Sequence, residues 1–171
     1  MDSHHDQVKR LRVAGADTPS KLYFAYSTIL DRAAFDAWKQ EHGYAEFQLP
    51  PGKLAEAVDI DLVFDFPSRW WQGRVAGLSD KPGASVFGML FEIAGGEWPI
   101  ISHKEGAVTG MSVEREVRVR VDGIEKTAYA FTTNPQRASM DGPLSARFIE
   151  ALVRGATSAG LPKEYIARLG R

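Results

Sequence analysis

The chain has 171 residues, of which 44% are hydrophobic, and this is enough to build one domain around a sizeable core. Its formal net charge is −1, with 21 basic and 22 acidic residues interleaved, so it lacks the field that attracts nucleic acid, and no nucleic-acid partner is expected. The absence of cysteine excludes disulfides, thiolate catalysis and cysteine-bound zinc.

The N-terminal residues 1–20 are polar and of mixed charge. They lack the apolar core of a secretory signal, and no apolar run in the chain approaches the roughly 20 residues that span a bilayer. We therefore expect a cytoplasmic protein with no membrane partner. The composition predicts a flexible arm over residues 1–20 and a single domain over residues 21–171. His4 and His5 precede Asp6 in this arm, but no ordered element would hold them as ligands, so no metal site is expected.

The first apolar stretch, Leu22 to Leu30, has the sequence LYFAYSTIL. Its continuous apolar start predicts a strand that is buried on both faces. Ser27 and Thr28 follow at the carboxyl end of that strand. A loop in this place directs successive backbone N–H groups into one small space, which can hold an anionic substrate group. The alternative is a core strand followed by a helix cap.

The middle of the chain predicts a series of short elements. An amphipathic pattern predicts a helix over residues 31–41, and strict alternation of apolar residues predicts a strand over residues 58–66. The next two strands, over 73–79 and 85–93, flank the turn 80–83 and are predicted to form a hairpin.

Two adjacent tryptophans, Trp70 and Trp71, lie in the predicted turn over residues 67–73. Adjacent side chains in a turn point in different directions, so one of them could line a pocket or a subunit contact. The alternative is that both cover the end of a barrel.

A short helix is predicted between Gly95 and Gly106, because Pro99 suits a first helical turn and Gly106 ends the pattern. Glu105 then lies at the exit of this helix. The negative end of the helix dipole raises the pKa of a carboxyl group in that position.

The last third of the chain predicts two strands and two helices. Strands over residues 111–121 and 127–133 are joined by a tight Asp-Gly turn. The last long helix is predicted to open at Pro143 and to end at Gly160, before a closing helix that starts at Pro162. The total of six strands with short helices predicts an α+β fold, a small mixed, mostly antiparallel β-barrel with peripheral helices.

The common catalytic and cofactor signatures are absent from the sequence. It has no glycine-rich dinucleotide loop, no phosphate loop, no GxSxG elbow and no HExxH pair. His42 and His103 fall at predicted helix ends, so they are predicted to be surface or cap residues rather than ligands.

The stretch from Leu22 to Leu30 resembles the YFAYGSNL signature of the gamma-glutamylcyclotransferase family. Five positions match that pattern, namely Tyr23, Phe24, Ala25, Tyr26 and Leu30. Three positions depart from it, since Ser27 stands for the family glycine, Thr28 for its serine and Ile29 for its asparagine. Further blocks over residues 71–93, 103–119 and 142–169 resemble family segments in the family's order, so the resemblance covers the chain from Lys21 to its end.

The resemblance implies an activity and a set of site residues. In the family, a gamma-glutamyl amine or dipeptide is converted into 5-oxoproline and a free amine, without a metal, nucleotide or other cofactor. The family's catalytic glutamate falls on Glu105. The implied substrate-binding residues are Tyr23, Tyr26, Ser27, Thr28, Ile29 and Tyr129. The expected partner is thus a small-molecule gamma-glutamyl substrate, and the expected assembly is a monomer or a homodimer.

The departures in the loop leave a second function open. Ser27 removes the freedom of glycine to adopt positive φ, and Ile29 lacks the amide of the family asparagine. The alternative is therefore a non-catalytic small-molecule binding or regulatory domain of the same fold. The sequence does not identify the leaving amine.

Overall fold

The computed structural model describes residues 3–170. Within them the chain forms five α-helices and five β-strands: α1 His4–Ala14, β1 Lys21–Ala25, α2 Arg32–His42, β2 Lys53–Ser68, β3 Gly73–Ile93, α3 Trp98–Lys104, β4 Ser112–Val121, β5 Ile124–Thr133, α4 Ala146–Ala159 and α5 Lys163–Leu169. A 3₁₀ turn, Thr28–Leu30, separates β1 from α2. No helix in the described part of the chain has the length and apolar character needed to cross a bilayer.

The five strands close into a barrel in the order β1-β3-β2-β4-β5. All neighbouring pairs are antiparallel except β1 and β5, which run parallel and pair at Tyr23 and Tyr129. The predicted α+β fold with a mixed, mostly antiparallel barrel and peripheral helices is therefore confirmed.

The predicted hairpin over residues 73–93 is wrong, because this segment is the single strand β3. Both of its halves pair with β2, and the register jumps from Val58 opposite Ser85 to Ile60 opposite Asp80. The intervening residues form a bulge in which the backbone N–H of Gly83 donates to the Asp59 carboxylate over 2.9 Å. Turn-forming residues suit such a bulge as well as a hairpin, so the local sequence did not distinguish the two. The barrel accordingly has five strands instead of six.

Strand β1 is buried on both faces, as its apolar run predicts. Phe24 belongs to one hydrophobic cluster with residues of the barrel and of α4, including Val86, Val119 and Phe148. Tyr23 and Ala25 belong to a second cluster with residues of α3 and β5. Because both faces are packed, the carboxyl end of β1 is held in a fixed position relative to α3 and α4.

Helix α4 begins at Ala146, three residues after the predicted start at Pro143. The carbonyl of Pro143 accepts the backbone N–H of Arg74, and the N–H of Ser145 donates to the carbonyl of Arg74, so this segment forms a bridge to β3. The Ser145 hydroxyl then caps the helix by accepting the N–H of Phe148 over 3.0 Å. The helix ends at Gly160, as predicted.

The predicted arm over residues 1–20 contains the helix α1, which the sequence reasoning missed. Ser3 caps this helix, and Val8 is fully buried in the cluster that contains Tyr23. Val8 is the one fully buried side chain of α1, so the amphipathic signal is weak. The division between residues 1–20 and a domain over residues 21–171 stays a prediction.

Gly155 sets the distance between α4 and the segment after β1. A Cβ atom at this position would lie 2.7 Å from the backbone nitrogen of Asp31 and 2.8 Å from the carbonyl carbon of Leu30. Both contacts are to backbone, so neither can be relieved by a rotamer change. The glycine is therefore required for this close approach.

We expect Gly155→Ala to lower the free energy of unfolding by about 1–3 kcal/mol through overpacking. This reverses the usual gain of roughly 0.5–1 kcal/mol for alanine in place of glycine within a helix. Urea denaturation measures the change. Ser158→Ala, at an exposed position of the same helix, is the control and should leave the stability equal or slightly higher. A Gly155→Ala protein as stable as the parent would contradict the close packing.

Candidate active site

A cavity of about 940 Å³ opens where β1 ends. Beyond Ala25, strands β3 and β5 contact each other directly, since the backbone N–H of Leu78 donates to the Thr132 hydroxyl over 2.8 Å. The Thr133 hydroxyl donates to Asp65 over 2.7 Å. Gly77 permits this approach, because a Cβ atom there would lie 2.6 Å from Thr133 Oγ1. Strands β2, β3 and β5 are thus joined beyond the end of β1, and the recess lies beside the segment that follows β1.

Four of the residues implied by the resemblance line this cavity together: Tyr26, Ser27, Thr28 and Glu105. The first three follow β1, and Glu105 follows α3. Two elements that are far apart in sequence therefore bring a carboxyl group and a hydroxyl-bearing turn to the same space.

Glu105 occupies the C-cap position of α3, and its backbone N–H donates to the carbonyl of Ile101 over 2.9 Å. One carboxylate oxygen, Oε1, accepts the hydroxyl proton of Tyr23. Burial raises the pKa of the Glu105 carboxyl group above its ordinary value, while the neighbouring Lys104 and the Tyr23 hydrogen bond act in the opposite direction. The direction of this shift is the one that the sequence predicts, and burial is its main cause.

Tyr23 lies behind Glu105 and is not among the residues that line the cavity. Burial and the Glu105 charge raise the pKa of the Tyr23 hydroxyl well above its usual value, so this group stays protonated and remains a donor. Tyr26 is also buried, and its hydroxyl donates to the carbonyl of Phe131. Hydrogen bonds thus fix both tyrosines of the β1 segment, and Tyr23 orients the carboxyl group of Glu105.

Three of the predicted substrate-binding residues lie outside the cavity lining: Tyr23, which lies behind Glu105, and also Ile29 and Tyr129. Ile29 is only 2% exposed and packs in the hydrophobic cluster of Phe35 and Ile101. Tyr129 packs against Trp98, and the Lys21 ammonium lies 4.3 Å from the centre of its ring. These positions suit packing rather than contact with a ligand in this cavity.

The backbone at Ser27 does not need the freedom of glycine. Its φ and ψ are −116° and −154°, in the extended region that any residue adopts. Ser27 begins the 3₁₀ turn without a side-chain cap, so the first N–H groups of that turn have no intrahelical partner. The substitution at this position therefore keeps the feature of the loop that suits an anionic group.

Of the remaining walls of the cavity, sequence reasoning anticipated only the part formed by the paired tryptophans. Thr132 and Thr133 close it from β5, while Trp71 and Arg147 line it from the β2–β3 turn and from α4. The paired tryptophans were the available signal, and both of them line the cavity. The other residues are brought together by strand order, which one sequence does not reveal.

All four histidines of the chain lie in one region on α1, α2 and α3. The ring of His103 lies 5.2 Å from that of His42 and 6.1 Å from that of His4, between ring centres, and His5 lines the same shallow cavity. Burial and the neighbouring histidines lower the pKa of His103 to about 4. No group of three or more histidine, aspartate or glutamate side chains in residues 3–170 has a geometry that could hold a metal ion.

Comparison with known proteins identifies the family. A model of the AIG2-like family matches residues 85–169. A human gamma-glutamylcyclotransferase is 29% identical over 160 residues, which cover 92% of this chain and 81% of the human protein, and a bovine gamma-glutamylcyclotransferase is 29% identical over 159 residues, which cover 90% and 79%. A solved structure named gamma-glutamyl cyclotransferase superposes with a TM-score of 0.68 at 27% identity, covering 88% of this chain and 86% of that one.

The chain belongs to the gamma-glutamylcyclotransferase family. The human and bovine proteins match at least 90% of this chain, whereas the family model covers the part from within β3 to the end of α5. These relatives are named as enzymes, and this supports an enzymatic role for the present protein.

In this family member we expect Tyr23→Phe to change the pH dependence of any reaction that needs the Glu105 carboxylate. A hydrogen bond donated to a carboxylate favours the charged form, so its removal raises the pKa of Glu105 further. The acidic limb of the pH–rate profile should then move to higher pH, while the rate at alkaline pH changes less. Steady-state kinetics between acidic and mildly alkaline pH measure this shift.

The matched control is Tyr129→Phe, which removes a hydroxyl from the neighbouring strand outside the cavity lining. Its pH–rate profile should coincide with that of the parent protein. Equal shifts in the two variants, or no shift in Tyr23→Phe, would show that the Tyr23–Glu105 hydrogen bond does not control the carboxyl group.

Proposed function

We propose that the protein converts a gamma-glutamyl amine or dipeptide into 5-oxoproline and releases the free amine or amino acid. The observation that carries the proposal is the partly buried Glu105 carboxyl group, which lines the same cavity as the uncapped turn after β1 in a member of this family. The alternative of a non-catalytic binding domain has the same cavity but gives Glu105 no chemical role.

The chemistry needs few protein groups because the substrate supplies both reacting centres. Its own α-amine attacks its own γ-carbonyl carbon, the new C–N bond closes a five-membered ring, and the bond from that carbon to the leaving nitrogen breaks. A bound conformation that holds the amine near the carbonyl can lower the barrier by about 7–11 kcal/mol. The fixed walls around the recess would supply this restriction.

Glu105 is proposed as the general acid and base. It takes a proton from the α-amine during attack and returns one to the departing nitrogen, so atoms and charge balance over the cycle. A carboxyl group does this best when its pKa approaches the working pH, and burial raises the pKa of Glu105 in that direction. Tyr23 bonds to Oε1, and no hydrogen bond to Oε2 is found within residues 3–170, so Oε2 is free to exchange the proton.

The turn Thr28–Leu30 is proposed to hold the substrate α-carboxylate. Its first N–H groups have no intrahelical partner, and such groups bind anions. The turn and Glu105 would then bind adjacent groups on the same α-carbon, namely the carboxylate and the amine. Ser27 and Thr28 add hydroxyl groups that can assist as donors.

Incubation with a panel of gamma-glutamyl dipeptides and amines tests the reaction directly. The expected product is 5-oxoproline in equal amount to the released amine, as measured by chromatography. Glu105→Gln keeps the shape and a hydrogen-bond acceptor but removes the exchangeable proton. Its turnover should fall by about 10²- to 10⁴-fold, while its melting temperature stays equal or rises because a buried charge is relieved.

The control is Glu46→Gln, an exposed loop position outside the cavity lining, which should keep parental turnover. A protein that binds gamma-glutamyl compounds but forms no 5-oxoproline would favour the non-catalytic alternative. A Glu105→Gln variant with parental turnover and reduced stability would assign Glu105 a structural role and refute the mechanism.

A further inference from the structure

The cavity is much larger than a gamma-glutamyl group requires. Its volume of about 940 Å³ lies at the upper end of the roughly 300–1,000 Å³ that holds drug-sized ligands. A gamma-glutamyl group with a small amine would leave most of this space to water. The leaving half of the substrate therefore has room for a large side chain.

One wall of the cavity is formed by Arg69, Trp70, Trp71 and Arg147, and we call it the tryptophan–arginine wall. Trp71 is partly buried and packs edge-on against Phe148, with ring centres 5.4 Å apart. Trp70 is 67% exposed, which is a large apolar surface to leave in contact with water. An aromatic ligand would cover that surface and gain the preference of aromatic rings for stacked or edge-on contact.

Hydrogen bonds hold the backbone of the two tryptophans in place before any ligand binds. The Ser145 hydroxyl donates to the carbonyl of Trp71 over 2.5 Å, and Arg147 donates to the carbonyl of Trp70 over 3.3 Å. The backbone N–H of Trp71 donates to Ser68 Oγ over 3.2 Å. Such preorganisation reduces the conformational entropy that binding costs.

The wall also carries positive charge that no acidic side chain pairs. Within residues 3–170, neither Arg69 nor Arg147 forms an ion pair, whereas Arg154 on the next turns of α4 is paired with Asp31 over 3.0 Å. The Arg147 guanidinium lies 5.8 Å from the centre of the Trp71 ring, so cationic and aromatic surface are adjacent. A guanidinium fork binds carboxylates in two-point geometry and disfavours a cationic amine.

Building on the proposed function, we propose that the substrate is a gamma-glutamyl derivative of an aromatic amino acid, whose ring and carboxylate bind the tryptophan–arginine wall. The ring contacts Trp70 and Trp71, and the carboxylate pairs with Arg147 or Arg69. The products are then 5-oxoproline and a free aromatic amino acid.

Three substrates separate the two contacts. Gamma-glutamyl-phenylalanine has both the ring and the second carboxylate, gamma-glutamyl-glycine has only the carboxylate, and gamma-glutamyl-phenethylamine has only the ring. We expect kcat/KM for the first to exceed each of the others by at least about 10-fold, the discrimination that such pockets achieve. Equal efficiency for gamma-glutamyl-glycine would overturn the aromatic contact, and equal efficiency for the phenethylamine would overturn the carboxylate contact.

Variants assign each contact to its residue. Trp70→Ala should reduce the preference for phenylalanine over glycine, and Arg147→Gln should reduce the preference for phenylalanine over phenethylamine. Both side chains are exposed, so neither change removes core packing. Arg32→Gln, an exposed arginine outside the cavity lining, is the control and should keep both preferences. Unchanged preferences in both wall variants would overturn the proposal.

A binding measurement separates failure of this inference from failure of the proposed function. Calorimetry with Glu105→Gln should show that gamma-glutamyl-phenylalanine binds at least about 10-fold more tightly than gamma-glutamyl-glycine. That result without 5-oxoproline from the parent protein would refute the reaction and keep the ligand class. Turnover of the whole panel with equal binding of the two dipeptides would refute the ligand class and keep the reaction.

Discussion

The Tyr23–Glu105 hydrogen bond joins the two elements between which the cavity lies. Tyr23 belongs to a strand that is packed on both faces. Glu105 follows the short helix α3, whose first four residues, Trp98 to Ile101, are buried. A carboxyl group at a helix end would otherwise turn toward water to keep its charge hydrated. The tyrosine compensates for part of that lost hydration, so Glu105 can remain partly buried with a raised pKa.

Small residues make the rest of the recess possible. Gly77 lets the hydroxyl groups of β5 approach β3, and Gly155 lets α4 approach the backbone of Leu30 and Asp31. The close contacts at Gly77 are to side-chain oxygens, whereas those at Gly155 are to backbone atoms of the segment after β1. Close packing at these two glycines thus helps to set the shape of the recess.

Much of the fold could be predicted from the sequence, because hydrophobic period and turn residues are local signals. The strand at Leu22, the helix before Glu105 and the α+β barrel all followed from such patterns. The continuous strand β3 could not, since a proline-glycine turn fits a bulge as well as a hairpin and only the pairing with β2 decides between them. The helix α1 was missed because its apolar stripe is too weak to distinguish it from a polar arm.

The candidate site was predictable where a motif carries it and not where tertiary packing does. Glu105 and the residues Ser27 and Thr28 line one cavity, whereas Tyr23, Ile29 and Tyr129 lie outside its lining. Neighbours in one motif, such as Thr28 and Ile29, can face opposite sides of the backbone. The tryptophan–arginine wall joins a strand turn to a helix that starts more than 70 residues later, and single-sequence reasoning has no signal for that contact.

The central claim is that Glu105 acts on the α-amine of a substrate whose α-carboxylate binds the turn after β1. A crystal structure of Glu105→Gln with a bound gamma-glutamyl dipeptide tests it most directly. The account predicts the α-nitrogen within about 2.6–3.2 Å of the side chain at position 105 and the α-carboxylate at the backbone N–H groups of Thr28 and Ile29. A dipeptide bound with its α-amine directed away from position 105 would contradict it.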